Sequence, residues 1–416
     1  MIGVFGGLAR RLARLDDDPV LRAYGAALAA ANALTAVYWF GDLGPAQVLS
    51  PTTTPVCWPF FEDCFRFRLL PEQAVAGIVA GLLVASMWNA FMFMARGQAV
   101  GAYVLLVCVS IVKYLIVFQD FRLTLNHHYM AGWMTLAYVV TLDRKRTLPW
   151  LLLAMYIWAG VLKLDPSGSW LTGAAMYGRR PFGMPEALVP AACAYVIVLE
   201  LGIVWGLLSR RPWVFWSALA QVVLFHVGSF WVVGWFYPML MFLLLTIFPL
   251  NYLVGRVPDA AMRPVPVTRW SAAMPAAVLL LFSSLQIVRY TFPGQSAVTG
   301  EGRILALNMF DAPLECRSAI RHHVDGADQP WQPIKPLFAN ARIRCDPLVF
   351  LELARAQCRK LAGLATRDID LRLETRRYGT RTYDVVVDLQ NVCKAAPAYS
   401  MWSHNPWILV GAPRDQ

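Results

Sequence analysis

The chain has 416 residues, 58% of them hydrophobic and only 15% charged, with a formal net charge of +11. With a mean hydropathy of +0.48 it is too apolar for an ordinary soluble protein and reads as a multi-pass membrane protein. In that setting excess Arg and Lys reflects cytoplasmic loops facing anionic headgroups, so the charge does not point to nucleic acid.

The N-terminus is basic and amphipathic at Arg10, Arg11 and Arg14, then acidic at Asp16–Asp18, and leads straight into a span with no cleavable signal peptide evident. Nine apolar spans are predicted, over roughly 20–40, 72–95, 99–118, 122–142, 148–164, 187–208, 213–230, 234–250 and 270–291. A Pro- and Thr-rich loop, 41–71, holds Cys57 and Cys64. With nine spans, the clusters at Arg10–Arg14, Arg96, Arg144–Arg146, Arg210–Arg211 and Arg256–Arg269 share one side, cytoplasmic by the positive-inside rule. The Cys57/Cys64 loop, the connection through Arg179 and Arg180, and the C-terminal tail then lie outside. Arg179 and Arg180 run mildly against the rule, which suits a role at a site rather than in topology.

From about 292 the composition turns polar and mixed. Asp346-Pro347 opens a helix through about 363, with Asp as N-cap and Pro in the first turn. Asp370–Glu374 and Thr382–Asp388 alternate around Tyr378-Gly379, which predicts a hairpin. The expected fold is therefore an all-α multi-pass membrane domain, 1–291, with a small α/β extracytoplasmic domain, 292–416. Six of the eight cysteines (Cys57, Cys64, Cys316, Cys345, Cys358, Cys393) fall on the outer side, which predicts disulfides in an oxidising compartment with the pairing open.

The chain turns on Tyr156–Trp170, YIWAGVLKLDPSGSW, where an apolar helix runs into Lys163 and Asp165. A lysine in hydrocarbon is costly and marks a site by default, although a snorkelling lysine near a helix end is common. Counted at 1.5 Å per residue from the cytoplasmic ends, Lys163 and His127 sit about 22 Å up, His226 about 21 Å and Lys113 about 24 Å. Glu200 is deeper, about 15 Å, and fits a cation's partner or a structural role equally well. A desolvated lysine can act as a general base, and the histidines can hydrogen-bond an anion or polarise oxygen. For Lys163 to act so, its amine is expected to turn away from Asp165 and towards His127. The aromatics of this layer fit an interfacial belt, with a few, Trp158 and Phe230 among them, lining a slot for a flat apolar cofactor. No phosphate loop or dinucleotide fingerprint is present, and His127-His128 is a weak metal signal because adjacent helical residues diverge.

Several stretches together resemble the vitamin K-dependent gamma-glutamyl carboxylase family, with its bacterial relatives grouped as horizontally transferred transmembrane-domain proteins. Leu125–Met130, LNHHYM, looks like the family's Asn-His-x-Tyr stretch; Ala159–Asp165, AGVLKLD, like its Ala-Gly-Val-Lys-Lys-Leu-Asp; and Phe225–Phe230, FHVGSF, like its Phe-His segment. Val56–Asp63 resembles its cysteine-containing outer loop, and Ala354–Leu361 with Asp370–Asp388 its short helix and hairpin.

The resemblance implies an integral-membrane lyase that couples oxygen-driven epoxidation of vitamin K hydroquinone, or menaquinol, to carboxylation of glutamyl residues by carbon dioxide. It implies Lys163 as the base that deprotonates the quinol and His127 as the group that steadies the oxygenated intermediate. Asn126, Tyr129, His226, Trp158 and Phe230 are the expected cofactor contacts. It further implies a Cys57–Cys358 bridge from outer loop to tail; apart from the resemblance, Cys316 with Cys345 is a second expected pairing. The expected partners are the bilayer and a glutamate-containing peptide or protein, and the expected location is the cell membrane with the N-terminus cytoplasmic.

Leu162 replaces the first lysine of the family's Lys-Lys pair, Gly300–Phe310 keeps little of the segment found after the last span, and the long outer domain of vertebrate members is missing. Those departures keep a second reading open, a membrane maturation factor for a secreted peptide that keeps the fold without carboxylation. A transporter using the polar layer is disfavoured, because no repeat symmetry or paired broken helices are evident.

Overall fold

The computed structural model describes residues 15–41, 44–61, 63–67, 70–164, 169–176, 178–254, 269–307, 314–324, 327–335, 343–361, 367–378 and 380–410. Within these lies a helical bundle carrying a small sheet domain. The main helices are α1 (Pro19–Gly41), α2 (Glu72–Met94), α3 (Ala99–Gln119), α4 (Asn126–Val140), α5 (Arg144–Lys163), α6 (Val189–Leu201), α7 (Pro212–Val233), α8 (Phe236–Leu245), α9 (Ile247–Val254) and α10 (Arg269–Val288). Helix α6 runs on in 3₁₀ geometry over Ile203–Leu208, and α8 with α9 forms one rod.

Seven of these rods are long and apolar enough to cross a membrane. Their outward faces carry Val84, Trp88, Phe91, Ile111, Leu115, Leu224 and Leu280, all exposed, as expected of surfaces that meet lipid. Predicted spans four and five form helices but do not qualify by themselves. Helix α4 has only 15 residues, because the preceding turn is pinned: Arg122 and Asp120 form a fully buried ion pair at 2.8 Å, and Asp120 also accepts the Val56 N–H. Helix α5 opens on Arg144-Lys145-Arg146 and closes on Lys163, too many charges for an apolar span.

The rods alternate in direction. One end gathers Asp16 bonded to the Ala99 N–H, Asp18 paired with Lys145 at 2.7 Å, and Asn251 donating to the Lys145 carbonyl. The other end carries the loop from Gly44 to Phe67, the connection between α5 and α6, and the tail.

The tail sheet has the order β2-β1-β4-β5, with β3 also on β1, all antiparallel; β1 is Leu314–Val324, β2 Ala327–Asp328, β3 Gln332–Pro333, β4 Arg367–Arg377 and β5 Asp384–Leu389. Helix α11 (Pro347–Leu361) covers the apolar face built from Ile320, Ile369, Leu371 and Leu373. The helix and the β4–β5 hairpin match the sequence expectation, whereas β1, rich in Arg and His, carried no strand signal. The tail core is continuous with Trp39, Val75, Val79 and Val117 at the ends of α1, α2 and α3. Leu307, beyond the expected boundary at 291, packs in the bundle core, where Gln286 accepts its N–H at 2.8 Å.

The cysteines pair Cys57–Cys64, Cys316–Cys345 and Cys358–Cys393. The Cys316–Cys345 expectation holds, and the Cys57–Cys358 bridge is corrected. Residues 58–61 fold back in a tight turn that brings Cys57 and Cys64 to a Cα separation of 5.5 Å. Cys358 instead faces the turn after β5 that holds Cys393. Loop and tail still meet, without a covalent link: the Arg359 guanidinium lies 4.6 Å from the Phe65 ring centre.

Candidate functional site

Lys163 ends α5 and Glu200 sits one residue from the end of α6. Gly160 lets the two helices touch: a Cβ there would fall 2.7 Å from Leu201 and 3.1 Å from the Glu200 Cβ. Across this close approach Lys163 Nζ reaches both Glu200 oxygens, at 2.8 and 2.6 Å, and donates to the Ala159 carbonyl at 3.2 Å. Both side chains are buried. A buried pair survives only with good geometry and further hydrogen bonds, and this one has both.

The pair forms the polar end of a chamber of about 180 Å³ walled by Trp170, Phe182, Val196, Phe225 and Tyr237. Nζ lies 5.1 Å from the Trp170 ring centre, and Trp170 is fixed by its indole N–H on the Cys193 carbonyl at 2.8 Å. Phe182 packs over α7 because residue 228 is glycine, where a Cβ would meet the Phe182 ring at 2.7 Å. Tyr195 on α6 and Leu224 on α7 line the chamber and are also exposed, so it opens sideways between these helices. At that size it suits a flat ring with a polar end, below the ~300–1,000 Å³ typical of larger ligands.

Behind Tyr237 lies a second polar contact. The Tyr156 hydroxyl and His226 Nε2 are 2.6 Å apart, both buried, and the His226 ring stands 5.7 Å from the Tyr237 ring. Sequence depth alone thus placed Lys163 and His226 in one neighbourhood, and the structure adds Glu200, Tyr156 and Tyr237. The sequence signal for Glu200 was its charge inside a span; nothing in the sequence singled out Tyr237.

The other expected residues lie elsewhere. Tyr129 donates to the Leu305 carbonyl at 2.7 Å and accepts from Gln286, so it holds the segment after α10. Trp158 donates its indole N–H to Ser283 on α10. Phe230 packs near Phe242 and directly follows Gly228 and Ser229 of the chamber wall without lining it. Asn126 is half-buried in the first turn of α4 and is not among the chamber's walls. His127 belongs to the same turn, but its side chain lies outside the described residues, as does Asp165. The expected turn of Lys163 away from Asp165 and towards His127 therefore falls on side chains outside the described residues; the partner seen for Lys163 is Glu200.

Lys113, the other buried lysine of the layer, is separate. Its amine donates to Asn32 Oδ1 at 2.6 Å and lies 5.0 Å from the Tyr114 ring centre, while Asn32 donates on to Ser110. No group of three or more His, Cys, Asp or Glu residues able to hold a metal occurs among the described residues.

Comparison with protein-family models, with characterised proteins and with solved structures returns no significant match for this chain.

Proposed function

We propose that the protein is a membrane enzyme of the vitamin K-dependent carboxylase kind, using a quinol held in the chamber between α5, α6 and α7. The observation that carries this reading is the Lys163–Glu200 pair at the closed end of an apolar, aromatic chamber with a sideways opening. Those walls fit a lipid-soluble ring, and the pair fits its oxygen.

When bound, the quinol together with oxygen supplies a base strong enough to take a γ-proton from a glutamate, after which carbon dioxide adds. The chain's own contribution is narrower. Glu200 accepts the proton released at the ring oxygen, and Lys163 Nζ donates a hydrogen bond to that oxygen. Trp170, Phe182 and Phe225 exclude water that would quench a strong base. The Tyr156–His226 contact fixes the wall behind Tyr237.

We also propose that all nine rods cross the bilayer, with α4 and α5 shielded inside the bundle, the N-terminus cytoplasmic and the disulfide-bearing tail outside. The alternating direction of the rods and the three disulfides support that topology.

The test is incubation of purified protein in lipid nanodiscs with reduced vitamin K, oxygen, labelled bicarbonate and a glutamyl peptide. The expected result is epoxide and labelled peptide in equal amounts. Epoxide without label would favour a maturation factor that has lost carboxylation, and neither product would remove the reading.

A further inference from the structure

The chamber between α5, α6 and α7 poses a problem of selection. Apart from Lys163 and Glu200 its walls are largely apolar, and it opens sideways between two rods, Glu186–Leu208 and Pro212–Val233, each long and apolar enough to cross a membrane. An acyl chain and an aromatic ring coming from lipid would gain alike from such walls, because neither is being driven out of water. Something at the opening has to tell them apart.

The opening carries a polar feature. The two rods touch where Gly206 lies against α7; a Cβ there would fall 2.8 Å from the Ala218 Cβ. About one turn beyond Ala218, Gln221 Oε1 accepts a hydrogen bond from the Tyr195 hydroxyl of α6 at 2.7 Å. The Gln221 amide nitrogen donates in turn to the Ser217 carbonyl and hydroxyl, at 3.1 and 3.2 Å. Tyr195 and Gln221 both line the chamber, and their bond lies on the outer surface beside the exposed Val198 and Leu224. It straps α6 to α7 across the opening.

The position is unusual for these side chains. Both lie near the middle of their rods, whereas tyrosine belongs at the interfaces and an amide in hydrocarbon is costly. Two leucines would close the gap as well. A hydrogen bond sets a different condition for entry: in hydrocarbon, parting the two groups leaves a donor and an acceptor unsatisfied. An acyl chain offers nothing to replace that bond. A ring bearing hydroxyl or carbonyl oxygens does, by accepting from Tyr195 or donating to Gln221.

We infer that Tyr195 and Gln221 form a polar filter, which keeps acyl chains out of the chamber and admits a ring that carries hydrogen-bonding oxygens. The two residues set specificity and take no part in the proton transfer. The inference rests on the reading of the chamber as a quinol site, and its test reads occupancy rather than turnover.

The experiment places the full chain in nanodiscs with two photoreactive probes at equal mole fraction, a phosphatidylcholine with a mid-chain diazirine and an azido-naphthoquinone. Labelled residues are located by mass spectrometry. In the wild-type protein the ring probe should label the chamber wall around Val196 and Phe225, and the acyl probe only outward residues such as Val198. In Tyr195→Phe/Gln221→Leu, which strands neither partner, the acyl probe should label the wall about tenfold more strongly or better, and the ring probe correspondingly less. Disulfide mapping and the melting temperature check that the variant is folded. Unchanged acyl labelling in the double variant overturns the inference, and ring labelling of the wild-type wall then still keeps the quinol reading. A Leu224→Ala protein that admits the acyl probe as freely as the double variant also overturns it, since size and not polarity would guard the opening. A ring probe absent from the wall in both proteins removes the quinol reading, and the filter then stands or falls on the acyl probe alone.

Discussion

Two lysines are buried at nearly the same depth of one helical bundle, and their surroundings make them different chemical objects. Lys163 has a carboxylate at 2.6 Å and an apolar chamber in front of it. Lys113 has an amide oxygen at 2.6 Å, an aromatic ring beside it, and a place outside the chamber. Depth and residue type are shared, so neither decides function. What separates the two is a partner that can take a proton and a space where a second molecule can stand. Lys113 reads as a polar clasp between α1 and α3, Lys163 as half of a proton-handling pair.

Removing one member of the pair should give the largest effect. Lys163→Ala leaves Glu200 charged and unpartnered in the bundle, a loss of about 3–5 kcal/mol for a buried pair. Quinol-dependent epoxide should vanish as well. Stability and chemistry separate in the double variant Lys163→Met/Glu200→Leu, which should recover most of the thermal stability and none of the activity. Glu200→Gln, which keeps the shape and removes the proton acceptor, should fold and be inactive. An active Glu200→Gln protein would make Lys163 alone the base.

The same operation on the other lysine should do much less. Lys113→Met strands only Asn32 Oδ1, at a cost of about 1–3 kcal/mol, and the thermal shift should be correspondingly smaller than for Lys163→Ala. Epoxide formation, per folded molecule, should match wild type. If Lys113→Met abolished it, the contrast between clasp and site would collapse, and the polar layer would have to be read as one continuous path.

Much of this arrangement could be read from residue order. Seven membrane-length apolar helices, the α11 helix and the β4–β5 hairpin follow from hydropathy and alternation. The Lys163–Glu200 contact did not, because Glu200 counted as several ångströms lower. The structure supplies two reasons. Residues 203–208 are 3₁₀ rather than α, which adds about 0.5 Å of rise per residue, or about 3 Å in all, beneath Glu200. The lysine stem makes up the rest. The cysteine pairing was hidden for a different reason: it depends on which turns face each other, and the resemblance pointed to a bridge that the fold replaces with an Arg359–Phe65 contact. Strand β1 was missed because Arg317, Arg321 and His323 form its polar face, while its other face mixes Leu314 and Ile320 with Cys316, Ser318 and His322.

The contrast extends to charges that meet water. On the tail sheet, His323 lies between Asp328, 2.7 Å from Nδ1, and Asp370, 2.9 Å from Nε2, with Arg321 also on Asp370. The hydrogen bond to Asp370 is the main cause holding the His323 pKa above its ordinary 6.5, with burial opposing and Asp328 adding to it. Burial acts to raise Asp370, but the bonds from His323 and Arg321 outweigh it and hold that carboxyl below 3.8. The signs then follow by linkage. The histidine's contribution is complete below 6.5 and is lost as pH rises through its raised folded value. The aspartate's contribution is complete above 3.8 and is lost as pH falls through its lowered folded value. Between these limits both are present. The expected outcome is that hydrogen exchange in residues 314–333, corrected for its intrinsic pH dependence, speeds up as pH is raised from 6 to 9. His323→Gln should flatten that profile and leave epoxide formation unchanged. This is the smallest effect of the set, since the cluster is partly open to water and screened by salt. A flat profile in the wild-type chain would mean that the exposed charges of the tail, unlike the buried pair at Lys163, contribute nothing that titrates.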